Sequence, residues 1–149
     1  MKMEQSIALF GTSADPPTIG HKKILEELSE IYAFTISYVS NNPNKKHKED
    51  ISMRSFLLKT LIEDLDNPKI LFDQRVSSQW ALESIKNCKK IYNFNYLDFV
   101  IGSDLIKDIF YWKNFDKIAD EVSFLVILRE GYPVESNTLK MLETYKVKF

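Results

Sequence analysis

SIALF at Ser6–Phe10, AFTISYV at Ala33–Val39, KILF at Lys69–Phe72, LDFVI at Leu97–Ile101 and VSFLVIL at Val122–Leu128 are apolar runs of strand length, and several are continuous instead of alternating. A strand that is apolar at successive positions is buried on both faces of its sheet, which requires helices on both sides. Helical patterns stand between the runs. His21, Ile24, Leu25, Leu28 and Ile31 follow one helical spacing, Ile51–Leu65 carries an apolar face on Phe56, Leu57, Leu61 and Leu65, and Ser78–Lys90 and Asp104–Tyr111 read as further helices. This alternation predicts an α/β fold built on a doubly wound parallel sheet.

At 149 residues the chain fits one domain with a sizeable core, so a single domain over residues 1–149 is expected. The sequence shows no internal repeat, low-complexity tract or Pro/Gly/Ser linker. A formal net charge of -1, with both signs nearly balanced, argues against a nucleic-acid-binding surface. No run approaches the ~18 consecutive apolar residues of a membrane span, and MKMEQSIALF reads as the approach to a first strand, not as a signal peptide. The lone cysteine, Cys88 in KNCKK, has no disulfide partner within the chain and fits a reducing, cytoplasmic setting. The sequence leaves a homo-oligomer open.

In an open parallel sheet, ligands bind where loops leave the carboxyl ends of the strands. Three unusual loops do so here: GTSADPPTIGH after the first strand, SNNPNKKHKED after the second, and GSD after LDFVI. The first holds two of the four glycines, two of the five prolines and one of the two histidines. Gly11 would let the backbone approach a ligand, Asp15-Pro16-Pro17 would make a stiff turn, and Thr18 to Gly20 lead into a helix whose first amides lack internal partners and attract anions. His21 would add a donor beside those amides. The plainer alternative is that Thr18 caps the helix and His21 packs.

Thr18-Ile19-Gly20-His21 resembles the (T/H)xGH signature of the nucleotidyltransferase superfamily, and the whole loop is similar to the GGTFDPxHxGH form of the nicotinate mononucleotide adenylyltransferases, most of all their cyanobacterial branch. IGSDLIKDIFYW places Trp112 eight positions after Asp104, as in the family's IGxD segment. LREGY at Leu128–Tyr132 resembles its RPGY segment, and NPNKKHK its lysine-bearing PPHK loop. Departures are Phe10 for a glycine, Ala14 for a phenylalanine and Thr18 for a histidine. The family's C-terminal ISSTxxR segment, which holds ATP phosphates, has no counterpart before Phe149, so the expectation is either a truncated chain or an ATP site lacking that part.

The resemblance implies a Rossmann-like nucleotidyltransferase fold and adenylyl transfer from ATP, with Mg²⁺, to nicotinate mononucleotide, giving nicotinate adenine dinucleotide and pyrophosphate in NAD biosynthesis. It implies catalytic roles for Thr18, His21 and Lys45. ATP would be bound by Gly11, Thr12, Ser13, Gly20, His21, Gly102, Asp104 and Arg129, and the mononucleotide by Ser13, Lys45, His47, Ser78 and Trp112, the last stacking on the pyridine ring. No protein side chain is implied as a metal ligand.

Several alternatives stand beside these roles. Lys46 or Lys48 could take the place of Lys45, and all three could be a solvated basic loop. Trp112 could be core, Asp104 a helix cap, and Arg129 surface. The segment Ser77-Ser78-Gln79-Trp80 takes the position of the family's SYT loop but matches it poorly, which leaves nicotinate against nicotinamide open. At the level of the whole chain, the alternatives are an adenylyltransferase with another acceptor, such as pantetheine phosphate or nicotinamide mononucleotide, and a nucleotide-binding fragment without turnover.

Overall fold

A computed structural model describes residues 3–14, 16–41, 49–106 and 108–128. Five strands, β1 (Met3–Thr12), β2 (Tyr32–Val39), β3 (Ile70–Phe72), β4 (Tyr96–Gly102) and β5 (Ser123–Ile127), form one sheet in the order β3-β2-β1-β4-β5. Every pairing is parallel. The helices are α1 (Ile19–Ile31), α2 (Ile51–Leu65), α3 (Ala81–Ile91) and α4 (Phe115–Glu121).

The continuous apolar runs have the expected cause. Along β1, Ile7 and Leu9 enter one core with Leu82 and Ile85 of α3, Phe115 and Ile118 of α4, and Phe99 and Phe124 of the sheet. Ala8 and Phe10 enter a second core with Leu25 and Leu28 of α1 and Leu58 and Ile62 of α2. Successive strand residues point to opposite faces, so a strand central to two cores is apolar at every step.

Two local expectations are corrected. Asp104–Tyr111 is not one helix: Ser103–Leu105 and Ile109–Tyr111 are single 3-10 turns, and the regular helix comes later, as α4. The short spacing of apolar residues in IKDIFYW suits tight turns packed on the sheet as well as it suits a helix. The buried line of α2 is Arg54, Leu58 and Ile62, while Phe56 is 63% exposed. An arginine hides in a hydrophobic pattern because its charge is read as surface. On α1 the last apolar position, Ile31, is likewise half exposed.

Connections run from β1 outward to β2 and β3, then return across the sheet to β4. The strand order therefore reverses between β1 and β4, and the crevice outside their carboxyl ends is the natural ligand position of such a sheet.

Candidate active site

A cleft of about 550 Å³ opens at that reversal point. Residues singled out from the sequence enter its walls from four stretches: Gly11, Thr12 and Ser13 at the end of β1 with Thr18, Gly20 and His21 of the α1 entry, Ser78 before α3, Gly102 at the end of β4, and Trp112; Tyr38 and Ser40 at the end of β2 and Trp80 line it as well. Nine residues singled out from the sequence thus meet in one place. Asp104 lies in the 3-10 turn that follows Gly102, its side chain outside the described set. Lys45, His47 and Arg129 lie outside the described residues, as do Lys46 and Lys48.

The loop after β1 is held from several sides. Thr18 is the N-cap of α1, and His21, at the third helical position, completes a capping box by accepting the Thr18 backbone N–H on Nδ1 at 2.9 Å. His21 Nε2 lies 2.9 Å from Thr12 Oγ1. A backbone N–H can only donate, so Nδ1 is bare in this arrangement and Nε2 carries the proton that Thr12 accepts. Thr12 Oγ1 also accepts the Ala14 N–H at 3.2 Å. His21 is therefore aimed by both ring nitrogens, with its one N–H directed at a cleft hydroxyl. Lys22 N–H to Thr18 O is the first bond of the helix, so the amides of Ile19 and Gly20 precede it and remain for an anion.

Besides lining the cleft, Gly11 answers a packing constraint. It pairs with Tyr38 across β1 and β2, and a Cβ built on it would stand 2.6 Å from Tyr38 Cζ. The space over the glycine is taken by the tyrosine ring. Tyr38 is buried, which pushes its hydroxyl well above the usual tyrosine range, with Ser84 opposing that shift. Ser84 Oγ in turn accepts the Ser78 N–H at 3.1 Å, Ser77 Oγ donates to Val39 O at 2.7 Å, and the Ser78 hydroxyl donates to Glu83. Ser77 thus pins the segment before α3 to the end of β2, and Ser78 ties it to the first turns of α3.

Both tryptophans of the chain line the cleft. Trp112 meets Phe99 edge to face, ring centroids 6.0 Å apart, so one side of its indole is anchored in the core. Trp80 carries Lys113 Nζ 5.2 Å from its ring centroid. Sequence reading gave no role of their own to Trp80, which it met only within the Ser77–Trp80 segment, to Lys113 beside Trp112, or to Tyr38 and Arg54.

Arg54, 2% exposed, reaches the loops from behind the cleft. Its Nη1 donates to Ser13 O at 3.1 Å and to Ser40 O at 3.2 Å, and its Nε donates to Glu49 O at 3.1 Å. Ser40 N–H also donates to Thr12 O at 2.9 Å, so the ends of β1 and β2 are tied together. Among the described residues no group of three or more His, Cys, Asp or Glu side chains is arranged to hold a metal ion, and no helix is long and apolar enough to cross a membrane.

Residues 9–148 match the family model described as cytidylyltransferase-like. A Campylobacter jejuni protein named "probable nicotinate-nucleotide adenylyltransferase" is 32% identical, the match covering 94% of this chain and 80% of that protein. A Synechocystis protein of the same name is 29% identical over 91% of this chain and 73% of its own length. Among solved structures, the Plasmodium falciparum nicotinic acid mononucleotide adenylyltransferase complexed with NaAD superposes with a TM-score of 0.77 at 23% identity, covering 92% of this chain and 71% of that one. That likeness establishes the shared fold.

Proposed function

The chain belongs to the cytidylyltransferase-like family and, within it, to the nicotinate-nucleotide adenylyltransferases, and from that premise we propose how its cleft carries out adenylyl transfer from ATP to nicotinate mononucleotide. What supports the reading is the convergence of four separate stretches on one cleft at the reversal point of the sheet. The products are nicotinate adenine dinucleotide and pyrophosphate, and the reaction belongs to NAD biosynthesis.

The nucleophile is the phosphate of the mononucleotide, already an anion at neutral pH, so no protein nucleophile or strong base is needed. The barrier lies in bringing two anions in line and in the charge that grows on pyrophosphate. His21 Nε2–H, the Thr18 hydroxyl and the first amides of α1 are donors around that charge, and they are oriented in advance by the capping box and by Thr12. On ATP entry the Nε2 proton turns from Thr12 Oγ1 to a phosphate oxygen. Gly11, Thr12, Ser13, Gly20 and Gly102 line the ATP side, with Asp104 and Arg129 as further contacts. Mg²⁺ would arrive with ATP as part of the substrate and would supply positive charge against the phosphates.

Trp112 offers its free indole surface to the pyridine ring, while Ser13, Ser78, Lys45 and His47 hold the mononucleotide. The chain works as one nucleotidyltransferase domain over residues 1–149, in the cytoplasm. The test offers the purified protein MgATP with nicotinate mononucleotide or nicotinamide mononucleotide in parallel and separates the dinucleotides. Preferential formation of nicotinate adenine dinucleotide is expected. Equal use of both acceptors removes the acid preference, and absence of both products overturns the reading for this chain.

A further inference from the structure

Arg54 is the one charged residue of α2 that is buried, and its three acceptors are all backbone carbonyls in the loops that frame the cleft. Arginine is seldom fully buried unless its donors are put to use. Here they hold Ser13, in the loop after β1, together with Ser40 and Glu49, which flank positions 42–48.

The Ser13 contact has the longest reach. A peptide group is planar, with its C=O and N–H on opposite sides, so pinning the Ser13 carbonyl to Arg54 also directs the Ala14 N–H. That N–H meets Thr12 Oγ1, the same oxygen that faces His21 Nε2. Were the peptide to turn over, a carbonyl would face Thr12, whose hydroxyl would then have to donate there and would present itself differently to His21. Ala14 itself is fully buried with a φ of 46°, a backbone conformation that a residue other than glycine keeps only when its surroundings enforce it. The Arg54 and Thr12 contacts, on either side of the Ser13–Ala14 peptide, do so.

We propose that Arg54 is a positioning residue for adenylyl transfer: through the Ser13–Ala14 peptide and the Thr12 hydroxyl it sets the aim of His21, whose tautomer the Thr18 N–H fixes. The proposal rests on the adenylyltransferase reading given above. Lysine keeps the charge but has neither the reach in two directions nor the flat fork of a guanidinium, so Arg54→Lys separates geometry from charge.

The test combines steady-state kinetics with ¹⁵N NMR of the His21 imidazole in the wild-type chain and in Arg54→Lys. In the folded variant, kcat falls by about 10- to 100-fold with KM for both substrates nearly unchanged, and the His21 Nε2–H signal shifts as its contact with Thr12 is loosened. A kcat within about twofold of wild type, or a loss of kcat with unaltered imidazole signals, overturns the proposal. If the wild-type chain forms no dinucleotide, it is the functional reading that has failed, and the imidazole signals alone then decide whether Arg54 controls His21. Should Arg54→Lys not fold, amide exchange in the wild type takes its place: protection at Ala14 comparable to that of the β1 core supports the clamp, and exchange at the rate of an open loop overturns it.

Discussion

His21 and Thr12 stand nine residues apart in sequence with Nε2 2.9 Å from Oγ1, and this contact joins the entry of the first helix to the end of the first strand inside the cleft. Replacing His21 with alanine removes a preorganised donor and is expected to lower kcat by about 10²- to 10³-fold. Because His21 also caps α1, stability should fall as well, by about 0.5–2 kcal/mol. Product formation and urea denaturation on the same preparation separate the two effects.

Gly11→Ala places a methyl group where Tyr38 Cζ would be 2.6 Å away. The tyrosine is fully packed and belongs to the neighbouring strand, so the strand ends must part, at a cost of about 1–3 kcal/mol. Adding Tyr38→Leu to Gly11→Ala should recover part of that loss, a coupling that a double-mutant cycle of denaturation midpoints would read. Additive effects would locate the conflict elsewhere.

Thr35 is completely buried in β2, and its Oγ1 has no hydrogen-bond partner among the described residues. An unsatisfied buried hydroxyl is a liability that an isosteric methyl removes. Thr35→Val is expected to be neutral or stabilising by up to about 1 kcal/mol, measured as a rise in the denaturation midpoint with an unchanged slope. A clear loss of stability would mean that the hydroxyl is satisfied in solution.

Asp73, at the end of β3, accepts from the Arg75 guanidinium and backbone N–H and from the Tyr92 hydroxyl. Arg75 chiefly, and Tyr92 with it, hold this carboxyl below the usual aspartate range against the opposing effect of its burial. A carboxyl depressed in the folded state stabilises the fold above its unfolded value of about 3.9, and the contribution disappears as pH falls through the lower folded value. Asp73→Asn should therefore be less stable than wild type at neutral pH, and the gap should close below about pH 4. Thermal midpoints at several pH values would show the two curves converging, and parallel curves would contradict the assignment.

The sheet was legible because its central strands are apolar at every step, and the two cores on either side of β1 are the cause of that pattern. The cleft was legible wherever its residues sit in short motifs at strand ends, as Thr18, His21 and Gly102 do. It was hidden wherever a contact depends on strands or helices distant in sequence. Nothing in the string of letters announces that Tyr38 lies over Gly11, since that follows from β-register, or that Ser84 holds Ser78. Arg54 was obscured for another reason: its i, i+4, i+8 alignment with Leu58 and Ile62 is present in the sequence, but a charged residue on an apolar line is ordinarily assigned to solvent. Phe56 shows the converse, a large apolar side chain that draws the predicted face a step away from the one the helix buries.

The chain has two tryptophans, and both stand in the wall of the same cleft, one against Phe99 and one beneath Lys113. Its long-wavelength ultraviolet emission therefore originates at the site itself, with no background indole elsewhere. Titration with either nucleotide can be followed without a label, and single Trp→Phe variants divide the signal between the two walls. By the same token, a denaturation curve recorded by indole fluorescence reports the opening of the cleft, and only comparison with circular dichroism tells whether the sheet has come apart with it.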